Sequence, residues 1–274
     1  MIYCKALNQE FRDKYEMFHT LNRVKKELFL SKKSQTKIAD SVGGYLGCKK
    51  EATKEGENET PQINFGSYVF PVINTTLLMD SHEDLHLNGI WDKSAKEQKG
   101  KVSLIINHEF KVGNVVSYPD EVEPMVKTLT WKELGQSYEG ETQALIFKSL
   151  LTEDSNPIAF GIYKRNKSVQ HSIRMQYIDM KFCVNSQDKE WKEEYLNWEK
   201  YFPLMVNPEK ADEIGYFWAV KEAKIYKEGS MVIEGSNHVT PTLYSEAGKT
   251  TSIKGPDNST RIDYLNKLIQ LTKN

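Results

Sequence analysis

Ser172 lies within "SVQHSIRMQYIDMKF", residues 168–182, with His171 directly before it and Arg174 two positions after it. A serine hydroxyl is a weak nucleophile unless a base stands within hydrogen-bond reach. His171 is the nearest candidate along the chain. Residues 172–184 alternate as a β-strand, however, and neighbours on a strand point to opposite faces. Ser172, Arg174 and Gln176 then share one face, and His171 turns away from the hydroxyl. His108, which follows the apolar run of "LIINHEF", is the better candidate, because serine triads are assembled by the fold and not by adjacency. A lone histidine near a strand end is also commonly a hydrogen-bonded structural group. Spacing alone therefore leaves both a catalytic pair and a plain β-sheet protein open.

A second cluster, "MDSHEDLHLNGIW" at 79–91, alternates Asp80, His82, Asp84 and His86. On one strand these four side chains would share a face and present two imidazoles and two carboxylates to a divalent cation. One alternating cluster is a low-specificity signal. The plainer reading is a charged strand end ahead of the Asn88-Gly89 turn, and no metal or other cofactor is assigned.

The elements that must position these residues follow from periodicity. Residues 8–31 place Phe11, Tyr15, Phe18, Leu21, Val24 and Leu28 at spacings of three and four, which predicts an amphipathic helix. A polar, Gly-containing linker follows, and a boundary falls near residue 65. This divides the chain into 1–65, a domain at 66–244, and a tail at 245–274 made of a linker and a short helix from 261. Short runs rich in Val, Ile, Thr and aromatics at 67–79, 101–110, 112–118, 123–131, 142–151, 172–184, 216–228 and 230–236 predict strands. Their spacing suggests an α+β fold whose mostly antiparallel sheet closes or nearly closes into a barrel. Helices are expected at 156–166, 189–207 and 208–216, the first with Pro157 at its opening position and the last stopped by Gly215.

Composition narrows the function classes. With 37 basic and 38 acidic residues among 274, no overall field favours nucleic acid. No apolar run reaches the roughly 18 residues that span a bilayer, and the N-terminus turns charged too early for a secretory signal. Cys4, Cys48 and Cys183 are odd in number and widely spaced, which predicts neither a disulfide framework nor a Cys-x-x-Cys metal site.

Over residues 70–243 the order of short motifs is distinctive. "DSHEDLHLNGIW" is followed by "INHEFKVGNVVSYPDEV", then "VQHSIRMQYIDMKFCVN", then "EGSMVIEGSNHVTPTL". This order resembles the prohead maturation protease family of tailed bacteriophages, itself similar to the herpesvirus assemblin proteases. The resemblance implies that Ser172 is the nucleophile and His108 the base, the same pair that strand alternation prefers. Glu228 matches an acidic position of the closing strand and would hold the His108 tautomer. His82 and His86 compete for that third place, because assemblins use a second histidine there. Arg174 stands where many relatives carry glycine, and is a candidate for binding the oxyanion or the substrate.

The implied function is a serine endopeptidase that cleaves scaffold and major capsid precursors inside the assembling prohead, in the host cytoplasm, with neither nucleic acid nor membrane as partner. A non-catalytic assembly or scaffolding protein with the same fold is the alternative, and a metal hydrolase ranks third. The linker and the C-terminal helix would be tethers or segments removed by self-cleavage. The aromatic face from Trp191 to Tyr201 could serve a homodimer or pack on the sheet.

Overall fold

The computed structural model describes residues 1–34, 36–38 and 62–244. Cys48, most of the expected linker and the expected C-terminal helix lie outside the described residues. The chain begins with a small hairpin of β1 (Ile2–Cys4) and β2 (Gln9–Phe11), followed by helix α1 (Lys14–Ser34) and strand β3 (Lys37–Ile38). From residue 62 onward come β4 (Tyr68–Thr75), β5 (Asp84–His86), helix α2 (Asp92–Glu97), β6 (Ser103–Ile106) and β7 (Val115–Ser117). The hairpin β8 (Val122–Thr130) and β9 (Glu141–Leu150) leads to helix α3 (Pro157–Lys164) and the long strand β10 (Gln170–Val184). Helices α4 (Lys192–Tyr201) and α5 (Glu209–Ile214) precede β11 (Tyr216–Val232) and β12 (Thr242–Leu243).

Helix ends follow from local hydrogen bonding. Asp13 Oδ1 accepts the Glu16 amide at the start of α1, which begins at Lys14 and not at residue 8 as hydropathy placed it, because residues 9–11 are drawn into the hairpin. Asn156 caps α3 by accepting the Ile158 and Ala159 amides, with Pro157 at the first helical position. Gly215 ends α5 in the left-handed conformation, and a Cβ there would meet the Phe18 ring at 2.9 Å, so α1 packs directly on this turn.

The fold is mixed α+β, but the expected barrel is not formed. The strands make three sheets: the β1-β2 pair, a mixed sheet ordered β3-β10-β11-β6-β7 with β5 also on β11, and a sheet ordered β12-β4-β9-β8. None of these described sheets closes on itself. The reason is visible where Gly229 of β11 lies against Phe147 of β9 and Ile73 of β4, at 2.9 and 3.1 Å from an added Cβ. The two large sheets bury their apolar sides face to face, so no closure is needed to keep those sides from water. The same glycine splits the sequence pattern into the two strands expected at 216–228 and 230–236, whereas β11 runs through it as one strand.

The largest apolar cluster joins both sheets to the N-terminal residues. Cys4, Phe11, Met17, Phe18 and Leu21 pack in it with Ile73, Phe147, Ile173, Trp191 and Trp218. The aromatic stripe on the α4 segment is used inside the subunit, since Trp191, Trp198 and Tyr201 are all buried. No described helix is long and apolar enough to cross a membrane.

Candidate active site

The centre of the mixed sheet carries β10 and β11 side by side, with Ser172 opposite Ser230. β6 pairs in parallel with the other edge of β11, from Glu228–Ser103 to Met231–Ile106. Beyond Ile106 the chain turns sharply. Asn107 and His108 both take positive φ, 52° and 56°, and the Glu109 amide bonds back to the Ile106 carbonyl. Two consecutive left-handed residues make a type I′ turn, which suits Asn but is uncommon for other residues with a side chain. The turn swings the His108 ring off the end of β6 and over β11 toward β10.

The imidazole lands between the serine hydroxyl and a carboxylate. His108 Nε2 is 2.8 Å from Ser172 Oγ, and Nδ1 is 2.7 Å from Glu228 Oε1. A carboxylate only accepts, so Nδ1 carries the hydrogen and Nε2 is left to accept from the serine hydroxyl. Ser172, His108 and Glu228 are 2, 7 and 0 % exposed. Water is therefore largely excluded from these contacts, while the base retains a small opening to the surface. Buried, aligned donors and acceptors of this type are worth more than the same contacts in water.

A local irregularity brings Glu228 to this place. Between the pairs Ile173–Gly229 and Met175–Ile225, the single residue Arg174 on β10 faces three on β11, Tyr226 to Glu228. Lys227 takes a positive φ of 68° within this bulge. The bulge gathers Glu228 and Arg174 at one point of the sheet, and Arg174 pairs on its other side with Ile38 of β3.

The remaining residues singled out from sequence are placed elsewhere. His171 is wholly buried on the opposite side of β10, where Nδ1 donates to the Thr240 carbonyl at 3.0 Å and Nε2 meets the Tyr163 hydroxyl at 3.2 Å. Burial pushes its pKa down to about 4, and burial likewise raises Tyr163 well above the usual phenol value. Both stay neutral.

Asp80, His82, Asp84 and His86 do not share a strand face. Asp80 Oδ1 closes a turn by accepting the His82 and Asp84 amides. Asp84 pairs with Lys32 of α1 and accepts the Tyr177 hydroxyl at 2.7 Å. His86 stands between the Asn74 amide and the Tyr177 hydroxyl. Among the described residues, no group of three or more His, Cys, Asp or Glu side chains is arranged to hold a metal ion. The third group on His108 is thus Glu228, and neither His82 nor His86.

No protein-family model, curated protein or solved structure matches this chain.

Arg174 points neither to open solvent nor beyond Ser172: its Nη2 donates to the His108 carbonyl at 2.8 Å and its Nε lies 3.1 Å from Glu228 Oε1. Two further residues went unnoticed at the sequence level. Ser230 Oγ accepts the His108 backbone amide at 2.8 Å. Gly235 brings the loop after β11 against the nucleophile, because a Cβ there would stand 3.0 Å from the His171 carbonyl and 3.7 Å from Ser172 Cβ. Ser230 could have been suspected from its spacing of two from Glu228, which places both on one side of a strand.

Proposed function

We propose that this protein is a serine endopeptidase of the prohead-maturation type, acting on scaffold and capsid precursor proteins inside an assembling phage head. The observation that carries the reading is the unbroken line Ser172–His108–Glu228, with contacts of 2.8 and 2.7 Å. In this reaction Ser172 Oγ attacks the scissile carbonyl and its proton passes to His108 Nε2. Nε2 then gives that proton to the leaving amine, and water repeats the sequence on the acyl-serine, regenerating the hydroxyl. Glu228 keeps the imidazole in the required tautomer and balances its charge once it is protonated.

The motif order over residues 70–243 supports the prohead and assemblin affinity, and with it the host cytoplasm as the setting. The short Ser172–His108 contact favours turnover over a non-catalytic assembly role, which places no demand on that distance. Wild-type protein and Ser172→Ala are to be incubated with scaffold and capsid precursors, and the fragments mapped by mass spectrometry. Cleavage is expected only with the wild type, and a Ser172→Ala variant that still processes the precursors overturns the assignment.

A further inference from the structure

We infer that Arg174 is a positioning residue that fixes the base and its carboxylate together, so that the site is a four-residue device and not a triad with a bystander. The inference rests on the proteolytic reading above for its consequence, but its geometry stands separately.

The His108 turn is intrinsically unfavourable. Two adjacent residues with side chains take the left-handed region, His108 without the local preference that Asn107 has for it, and such a conformation persists only when surrounding groups over-determine it. Here both polar groups of the His108 backbone are held by side chains from the central strands. The amide donates to Ser230 Oγ of β11, and the carbonyl accepts from Arg174 Nη2 of β10. The same guanidinium reaches Glu228 through Nε at 3.1 Å. That approach is off the hydrogen-bond direction, so the contact is an ion pair, made to the very oxygen that accepts His108 Nδ1–H.

One planar group thus sets two distances at once: where the His108 backbone sits, and where the carboxylate that orients its ring sits. Arginine suits this task because its donors lie in a rigid fork, whereas lysine offers one point charge on a flexible stem. Glu228 is fully buried and its other oxygen has no hydrogen-bond partner among the described residues. A carboxylate in that position needs a compensating cation in contact, and Arg174 supplies it. Arg174 is itself fixed from outside. Its guanidinium lies 5.6 Å from the centre of the Phe110 ring, and its backbone is paired to Ile38. A glycine at this position would keep the backbone pairing but provide none of the side-chain contacts.

The test compares wild type, Arg174→Met and Arg174→Lys in two measurements. The first is the rate of phosphonylation of Ser172 by a fluorophosphonate probe, which requires the base but no known substrate. The second is the low-field proton resonance of His108 Nδ1–H, which reports the bond to Glu228 whether or not the protein turns over. Misplacing a catalytic group by about an ångström costs about a hundredfold. Arg174→Met should therefore label about a hundredfold more slowly and lose or shift the resonance, with thermal unfolding reporting that the variant is folded. Arg174→Lys should fall between the two, since it restores the charge and not the fork.

Wild-type labelling rate and an unchanged resonance in Arg174→Met overturn the inference. If Arg174→Met does not fold, Arg174→Lys decides, and a wild-type rate there overturns the two-contact clamp. If the wild type itself does not react, the proteolytic reading fails and the resonance alone judges the positioning role.

Discussion

Replacing Glu228 by Gln keeps the size of the side chain and removes one charge 2.7 Å from His108 Nδ1. A base must be unprotonated before it takes the Ser172 proton, so at that stage little of the Glu228–His108 interaction depends on that charge. In the transition state the ring has taken the Ser172 proton and becomes an imidazolium. With charge centres about 4 Å apart and an effective dielectric near 20, the carboxylate then contributes about 4 kcal/mol. That corresponds to a loss of about a thousandfold in the rate of attack by Ser172. The variant also leaves the Arg174 guanidinium, 3.1 Å from the vacated charge, facing the newly formed imidazolium. The loss is therefore at least of that order. The assay is the second-order rate of fluorophosphonate labelling at Ser172, with the modified peptide identified by mass spectrometry and the folded state checked by thermal unfolding. A folded Glu228→Gln that labels as fast as the wild type would refute the electrostatic role given to this carboxylate.

Two further outcomes concern stability. Folded His171, with its pKa lowered to about 4 by burial, binds a proton less readily than the unfolded chain at its ordinary 6.5. The unfolded state then carries the extra proton, so stability is intact above pH 6.5 and falls as the pH drops toward 4, by about 3 kcal/mol in total. Urea unfolding across this range should show that loss in the wild type and a flatter profile in His171→Phe, and parallel profiles would remove His171 as the cause. Lys32→Met takes a cation from the fully buried Asp84 carboxylate and should cost about 3 kcal/mol or more, with part recovered in the Lys32→Met, Asp84→Asn double variant. Equal melting temperatures for the wild type and Lys32→Met would show that the pair contributes nothing.

What could be read from the sequence was what depends on side-chain direction along one strand. Alternation alone turns His171 away from Ser172 and sends the search for a base to another strand, and the structure places His108 against the serine hydroxyl. What could not be read depends on relations between strands. Nothing in hydropathy marks the bulge that sets three residues of β11 against Arg174, so an arginine two positions from Ser172 reads as a group for the oxyanion or the substrate. Gly229 looked like a break between strands, although it is there because Phe147 and Ile73 of the facing sheet come close. Alternation likewise reveals which faces are apolar but not which edges bond, and the barrel expectation failed on that distinction. The polar cluster at 79–91 misled for a related reason: only Asp84 to His86 are in a strand, and Asp80 spends its carboxylate on a turn.

The N-terminal helix is held by residues far from it in the chain. Met17, Phe18 and Leu21 are embedded among strands that come much later in the chain, and Lys32 is tied to Asp84 below them. Covalent continuity between residue 38 and residue 62 is therefore not what keeps the helix in place. The chain can be regarded as two pieces already reassembled, a short one supplying a helix and an edge strand and a long one supplying Ser172, His108 and Glu228. Burial of Met17, Phe18 and Leu21 and the Lys32–Asp84 pair thus hold α1 on the mixed sheet through contacts that do not pass along the chain between the two pieces.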